Sequence, residues 1–312
     1  MSNEVVATPS RPDMDGYQKQ GSGMQVLLNG LIAGMTMSVM ALAFTLVYLP
    51  TRVFHVALGA TYTIAPFIAW TCLGAGWSWP LAVTLATLTS VLLSLACEWV
   101  NHWPLEQKNA SPSAHLVSSL GIYILVVQAT ALKWGNDPKV LRIGLDSVCS
   151  FWGMVLTGAQ VTQAAGSIIV LACFYAWLGF SNIGLQLRGM ADNPVEMALR
   201  GYNVRRLRLM AFALAGALGA VSSLTVSFDL GFDPHGGLQA LLLAVVAMII
   251  GGRSSFLGPV IAGALLGVIR SEVVWFLSAR WQEAVTFLLL ALFLLFKPHG
   301  ILGRKGRVEA DS

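Results

Sequence analysis

The sequence predicts an all-α, polytopic membrane helix bundle of eight or nine spans with discontinuous or re-entrant segments, and three observations carry that prediction. Only 11% of residues are Asp, Glu, Lys or Arg, against about 25% in a soluble domain, so the chain has too little charge to cover a water-facing surface. Mean hydropathy is +0.70. The third observation is where the cations sit. Residues 181–208 hold Arg188, Arg200, Arg205, Arg206 and Arg208, five of the chain's 19 Lys and Arg, while 151–187 and 209–228 contain no Asp, Glu, Lys or Arg. An apolar chain that gathers its cations in one short segment holds that segment at a charged surface, and the cytoplasmic face of a bilayer is the one that positive residues favour.

At about 20 residues per span, 312 residues accommodate eight or nine crossings with short loops. The formal charge of +4 belongs to those loops and gives no reason to expect a nucleic-acid partner. Cys72, Cys97, Cys149 and Cys173 lie singly in or beside apolar runs with no CxxC spacing, which reads as small buried hydrophobes rather than a metal or disulfide framework. Three segments follow from this: a mobile polar N-terminal tail over 1–23, a transmembrane domain over 24–303 containing the basic loop 181–208, and a C-terminal tail over 304–312. The first of these lacks the apolar core of a secretory signal.

The first span covers 24–49. Its Gly30-x-x-x-Gly34 spacing strips bulk from one face and invites a second helix to approach, and Gly263 and Gly267 present the same device late in the chain. Pro50 ends the pattern by removing a backbone donor. Thr51, Arg52 and His55 follow, and the apolar run then resumes with Ala57, Gly59 and a proline at 66. A span that begins at a histidine and carries Pro66 in its middle is an irregular one, and in lipid its freed backbone groups must be met inside the protein or around a cavity. His55, Ala57, Gly59 and Pro66 are therefore candidate residues of a translocation pathway.

Spans follow at 81–100 and 114–132, flanked by interfacial Trp77, Trp79, Trp99 and Trp103. The mixed-charge segment 133–150 reads as an outer cap. Residues 151–180 are too long for one perpendicular crossing, so an interfacial lead-in to about Gln160 precedes a span over 161–180. The next helix, 209–227, is rich in Ala and Gly. Two short runs, 238–250 and 256–269, straddle a Gly-Gly-Arg-Ser-Ser turn, and short glycine-interrupted pairs point to discontinuous elements. The last span covers 275–296. The larger share of the cations then falls on one side with the basic loop, giving an outer N-terminus, an inner C-terminus and nine crossings; a re-entrant pair reduces the number to eight.

No HExxH, GxSxG, clustered Cys/His set or paired intramembrane carboxylates support an enzyme, a catalytic residue or a metal. Ionisable groups sit near span ends, not at span centres as a proton-driven carrier would require. Transport powered from outside this chain, or an autonomous solute channel, remains.

The stretches NGLIAGMTMSVMALAFTLVY at 29–48, RGMADNPVEMALRGYNVRRLRLMAFALAGALGAVSS at 188–223, GGRSSFLGPVIAGALLGVI at 251–269 and FKPHGILG at 296–303 together resemble the permease subunit of the branched-chain amino-acid type of bacterial ABC importers. The resemblance covers about 24–303. It implies a multi-pass protein of the bacterial inner membrane that moves branched-chain or other small amino acids without catalysing chemistry. It further implies a second permease subunit, two cytoplasmic ATPase subunits that use ATP and Mg, and a periplasmic or extracellular substrate-binding protein. This chain itself would bind no cofactor. In that picture Arg188, Asp192, Asn193, Ala198 and Gly201 lie in a coupling loop that takes the push of the ATPases. One departure bears on cargo: where the family carries a motif like Asn-Phe-Ala-His-Gly, this chain has His55-Val56-Ala57-Leu58-Gly59. Related permeases carry urea or short amides, so the solute stays open between the two.

Overall fold

The computed structural model describes residues 14–142, 148–151, 154–252 and 254–303. The chain runs α1 (Met14–Thr51), α2 (Leu58–Gly74), α3 (Trp79–Ala96), a π-turn (Cys97–His102), α4 (Trp103–Gln107) and α5 (Pro112–Trp134). A short hairpin follows, β1 (Val148–Phe151) antiparallel to β2 (Met154–Thr157), with Val148 opposite Thr157. Then come α6 (Gly158–Phe180), α7 (Asn182–Asp192), α8 (Pro194–Leu199), α9 (Val204–Asp229), α10 (Gly236–Gly251), α11 (Leu257–Phe276), a 3-10 turn (Ala279–Trp281) and α12 (Gln282–Phe296).

Seven helices among the described residues are long and apolar enough to cross a bilayer, and two more, Leu58–Gly74 and Gly236–Gly251, are apolar but shorter. The bundle is thus all-α apart from the hairpin. The expected eight or nine spans become seven long ones plus two short helices. The expected lead-in before 161 is the β2 strand and a helix that already starts at Gly158, because Thr157 and Gln160 form a reciprocal capping box that satisfies the first free backbone donors. Trp275, read from the sequence as the start of the last span, instead lies in the final turn of α11.

α1 and α9 sit at the centre. Val39, Met40, Leu42, Phe44, Leu46, Ala211, Phe212 and Ala215 are all buried, and the core they build continues into α10 and α11. The outward faces are apolar instead of charged: Leu92, Leu125, Ile169, Leu265 and Leu288 are exposed, as befits helices whose solvent is hydrocarbon. α12 buries only Thr286.

Glycines set the closest crossings. A Cβ on Gly34 would meet Ala264 O at 2.6 Å, and one on Gly267 would meet Gly34 Cα at 2.2 Å; Gly30 likewise faces Val268 and Gly263 faces Ser38, each at 2.8 Å. These four residues form the α1–α11 contact, in which the backbones touch with no side chain between them. The Ser38 hydroxyl joins both helices by donating to Gly34 O (2.8 Å) and Val260 O (2.6 Å).

Pro66 lies inside α2. Its missing N–H leaves the Tyr62 carbonyl without its helical partner, and the Ser223 hydroxyl of α9 donates to that oxygen at 2.6 Å. α1 extends one residue past Pro50 and stops where Arg52 takes the left-handed conformation, φ 55°. Residues 52–57 then lead to α2, whose first turn crosses the first turn of α10. There a Cβ on Gly237 would stand 2.3 Å from Gly59 O.

The C-terminal stretch 296–303 closes the α10–α11 turn. Ile301 N donates to Ile250 O (2.8 Å) and Leu302 N to Gly251 O (3.0 Å), satisfying carbonyls at the C-terminus of α10. Gly252 (φ 112°) and Gly300 (φ 78°) approach so closely that a Cβ on Gly300 would lie 2.4 Å from Gly252 Cα. Ser255 caps α11 through Leu257 N and Gly258 N. The tail 304–312 and most of the N-terminal tail lie outside the described residues.

Candidate functional site

Two polar regions interrupt the apolar bundle. The first is a partly open cavity of about 270 Å³ lined by α1, α2, α6, α9, α10, α11 and the loop at 230–233. Its apolar wall includes Met37, Met40, Pro66, Val226, Leu230 and Phe232, and its polar wall includes Thr36, Thr63, Gln163, Ser222, Ser223 and Ser227. The Ala and Gly residues that the sequence put on α9 for close packing do not line it; α9 contributes Ser222, Ser223, Val226 and Ser227 instead.

Asp233 and Arg270 are the charged residues lining this cavity. Asp233 Oδ1 accepts from His235 N (2.7 Å) and Gly236 N (3.1 Å), which fixes the carboxylate beside the start of α10. The loop carrying it is held by a backbone bridge: Lys139 N donates to Phe232 O (2.9 Å) and Phe232 N to Lys139 O (2.7 Å). Gly231, at φ 86°, permits that approach, since a Cβ there would meet Lys139 O at 2.7 Å. Arg270 is buried; it donates to Thr286 Oγ1 (3.0 Å) and pairs with Glu283 (3.5 Å), which also accepts from Gln239 (2.7 Å).

The second region lies at the opposite end of α9, beside the basic segment. The π-turn Cys97–His102 turns Glu98 and His102 to the same buried side, a known use of such bulges. Arg208 Nε donates to Glu98 Oε1 (2.7 Å) and Nη2 to Glu98 Oε2 (3.3 Å), and Nη1 lies 3.3 Å from Glu106 Oε2. His102 contacts His55 (Nε2 to Nδ1, 3.0 Å) and His115 (Nδ1 to Nδ1, 3.2 Å). Burial pushes the His55 imidazole down to about 3, so it is neutral. Arg208, grouped from the sequence with a surface loop, is only 4% exposed. The sequence signal was its place at the junction with the apolar run, one residue before Leu209.

The segment 181–208 comprises α7, α8 and the first turn of α9, joined by short turns. Ser181 caps α7 through Gly184 N, and Asn193 caps α8 through Val195 N and Glu196 N, both 3.1 Å. α7 turns Gly184, Leu187 and Met190 inward, while Arg188, Asp192, Ala198, Arg200 and Gly201 are exposed. Leu185, Val195, Leu199 and Tyr202 are exposed beside them. Gly201 has φ 82° and open space around it, so it serves the turn into α9 and not a packing contact.

Of the candidate pathway residues, Pro66 lines the cavity. Gly59 sits at the α2–α10 crossing, Ala57 is buried just before it, and His55 belongs to the histidine cluster. Among the described residues no group of three or more His, Cys, Asp or Glu could hold a metal ion. Cys72, Cys97 and Cys173 are free; the Cys149 side chain is outside the described residues.

Residues 26–294 match the family model described as branched-chain amino acid transport system, permease component. The high-affinity branched-chain amino acid transport system permease protein BraD of Pseudomonas aeruginosa is 28% identical over 297 residues, covering 90% of this chain and 96% of that one. LivH of Escherichia coli K12, with the same description, is 26% identical over 305 residues with the same coverage. The autoinducer 2 import system permease protein LsrC of Escherichia coli O9:H4 is 24% identical over 292 residues, covering 89% and 80%. Among solved structures, PsaBC from Streptococcus pneumoniae in complex with Fab superposes with a TM-score of 0.51 at 12% identity, covering 91% of this chain and 94% of that one, a likeness of fold.

Proposed function

We infer from this match that the chain, which belongs to the family of branched-chain amino acid transport system permease components, forms half of the membrane path of an ATP-driven importer for branched-chain or other small amino acids. It is a polytopic protein of the bacterial inner membrane. The observation that carries the reading is the unbroken family match over 26–294, which spans both the cavity-lining helices and the exposed α7–α8 pair.

In this reading α7–α8 faces the cytoplasm and docks on an ATPase subunit. Its outward surface supports that role, since it joins Tyr202, Arg188 and Arg200 to apolar Leu185, Val195 and Leu199, and tyrosine and arginine are among the residues that protein interfaces enrich. The short helices α2 and α10, crossing at Gly59 and Gly237, are proposed as half-spans that complete eight or nine membrane segments. The solute would pass from the cavity along Pro66, Gly59 and Ala57 toward the α1–α2 connection. ATP and Mg would be used by the partner ATPases, and a second permease and an external binding protein complete the assembly. The domain division proposed is 24–303 for the membrane domain with the coupling segment at 181–208.

The test is purification of this chain with the products of its neighbouring genes, reconstitution in vesicles, and uptake of leucine, isoleucine, valine and urea. Solute-stimulated ATP hydrolysis with amino-acid uptake is the expected result. ATP-independent flux through this chain alone would replace the reading with a channel, and uptake of urea only would change the cargo.

A further inference from the structure

We propose that the Asp233 carboxylate is the subsite that receives the ammonium group of an α-amino acid inside the cavity, which makes it the residue that separates amino acids from uncharged solutes such as urea. The proposal rests on the amino-acid reading above and deepens it.

Asp233 supplies the one negative charge in the cavity lining among the described residues. Oδ1 takes the two backbone donors at the start of α10, while Oδ2 accepts no hydrogen bond and meets no ion pair among the described residues. A carboxylate with one oxygen fixed by the backbone and the other free is a preorganised acceptor for a cation. Lys139, the cation that the strand bridge brings to this loop, does not compete. Its Nζ lies over the Phe67 and Trp70 rings at 5.9 and 5.7 Å and donates to Asp137 O.

The rest of the wall fits the same class of ligand. Arg270 also reaches the lining, but its guanidinium is engaged by Glu283 (3.5 Å) and Thr286 (3.0 Å), so Asp233 is the charge without an ion-pair partner among the described residues of the wall. Met37, Met40, Val226 and Leu230 offer an apolar surface to an aliphatic side chain. About 270 Å³ lies just below the usual range of about 300–1,000 Å³ for ligand pockets, which suits a small solute.

The structural role of Asp233 can be separated from ligand binding, because asparagine keeps a side-chain oxygen able to accept from the backbone N–H groups two and three residues on. Asp233→Asn therefore retains the turn and removes the charge, whereas Asp233→Ala removes both. The experiment uses the complete importer in vesicles, with leucine as the probe and binding-protein-stimulated ATP hydrolysis measured alongside uptake. Loss of a charge-assisted contact is expected to lower leucine uptake by Asp233→Asn on the order of ten- to a hundredfold at subsaturating solute. Thermal stability should stay at the wild-type level, and Asp233→Glu should restore part of the uptake. Wild-type uptake by Asp233→Asn together with a defect confined to Asp233→Ala would assign Asp233 to the turn alone and overturn the proposal. Failure of the wild-type importer to move any amino acid overturns the amino-acid reading itself, and the subsite with it.

Discussion

Arg208→Ala tests whether the buried ion pair at the base of α9 holds the bundle together. The Arg208 and Glu98 side chains are 5% and 2% exposed, and the guanidinium meets both carboxylate oxygens. At 2.7 Å, the attraction is roughly 6 kcal/mol for an effective dielectric constant of about 20. Desolvation of the two ions, several kcal/mol each, offsets most of it. The pair therefore contributes little net stability, but its rupture is costly: Arg208→Ala leaves Glu98 buried without its cation and should destabilise the protein by about 3–5 kcal/mol. The double variant Glu98→Ala/Arg208→Ala removes the stranded charge and should be less destabilised than the two single changes summed. The assay is thermal or denaturant unfolding of the purified protein in mild detergent, read as a double-mutant cycle. Single costs that add within about 0.5 kcal/mol in the double variant would refute the reasoning, since non-interacting sites add in that way.

Three further outcomes follow from the same geometry. Gly267→Val should prevent the α1–α11 contact, because even its Cβ would fall 2.2 Å from Gly34 Cα; a loss of about 3 kcal/mol or more, seen as a collapse in the yield of monodisperse protein, is expected. Gly201→Val should insert normally yet weaken stimulation of the ATPase, since the strain of φ 82° costs about 1–2 kcal/mol without a steric clash; unchanged coupling of ATP turnover to uptake would remove Gly201 from the coupling turn. His55 binds its proton only near pH 3 in the folded state, against about 6.5 when unfolded, so the unfolded state takes up the extra proton between those values. Stability should fall as pH drops below about 6.5, by up to about 1.4 kcal/mol per unit from this group. Comparing unfolding of wild type and His55→Asn at pH 7.5 and 5.5 isolates it, and an identical pH dependence would show that His55 is not held neutral.

The family resemblance, the transmembrane class and the segment 181–208 as a distinct basic element were all legible in the sequence, for one physical reason. Hydropathy, charge placement and glycine spacing are local properties, and a bilayer imposes local rules on them. Two glycine faces, at Gly30 and Gly34 and at Gly263 and Gly267, could be read as contact surfaces because a missing side chain has meaning without knowing the partner. That they meet each other is a fact of the fold. The shortness of 238–250 was visible too, and α10 is indeed 16 residues long.

What only the tertiary structure decided was pairing. Glu98 and Arg208 stand in the sequence at the ends of the spans 81–100 and 209–227, where snorkelling is cheap. They are instead one buried cluster, because a π-turn and the start of α9 bring together residues 110 positions apart. The stretch 296–303 carried a recognisable pattern with no evident purpose until it was seen to close the α10–α11 turn through Ile301 and Leu302. The place of Asp233 on a cavity wall depends on α2, α9 and α10 converging and on a backbone bridge to Lys139. Sequence determines which segments enter the membrane because each segment meets the lipid by itself, whereas a cavity and a buried ion pair exist only where several segments meet one another.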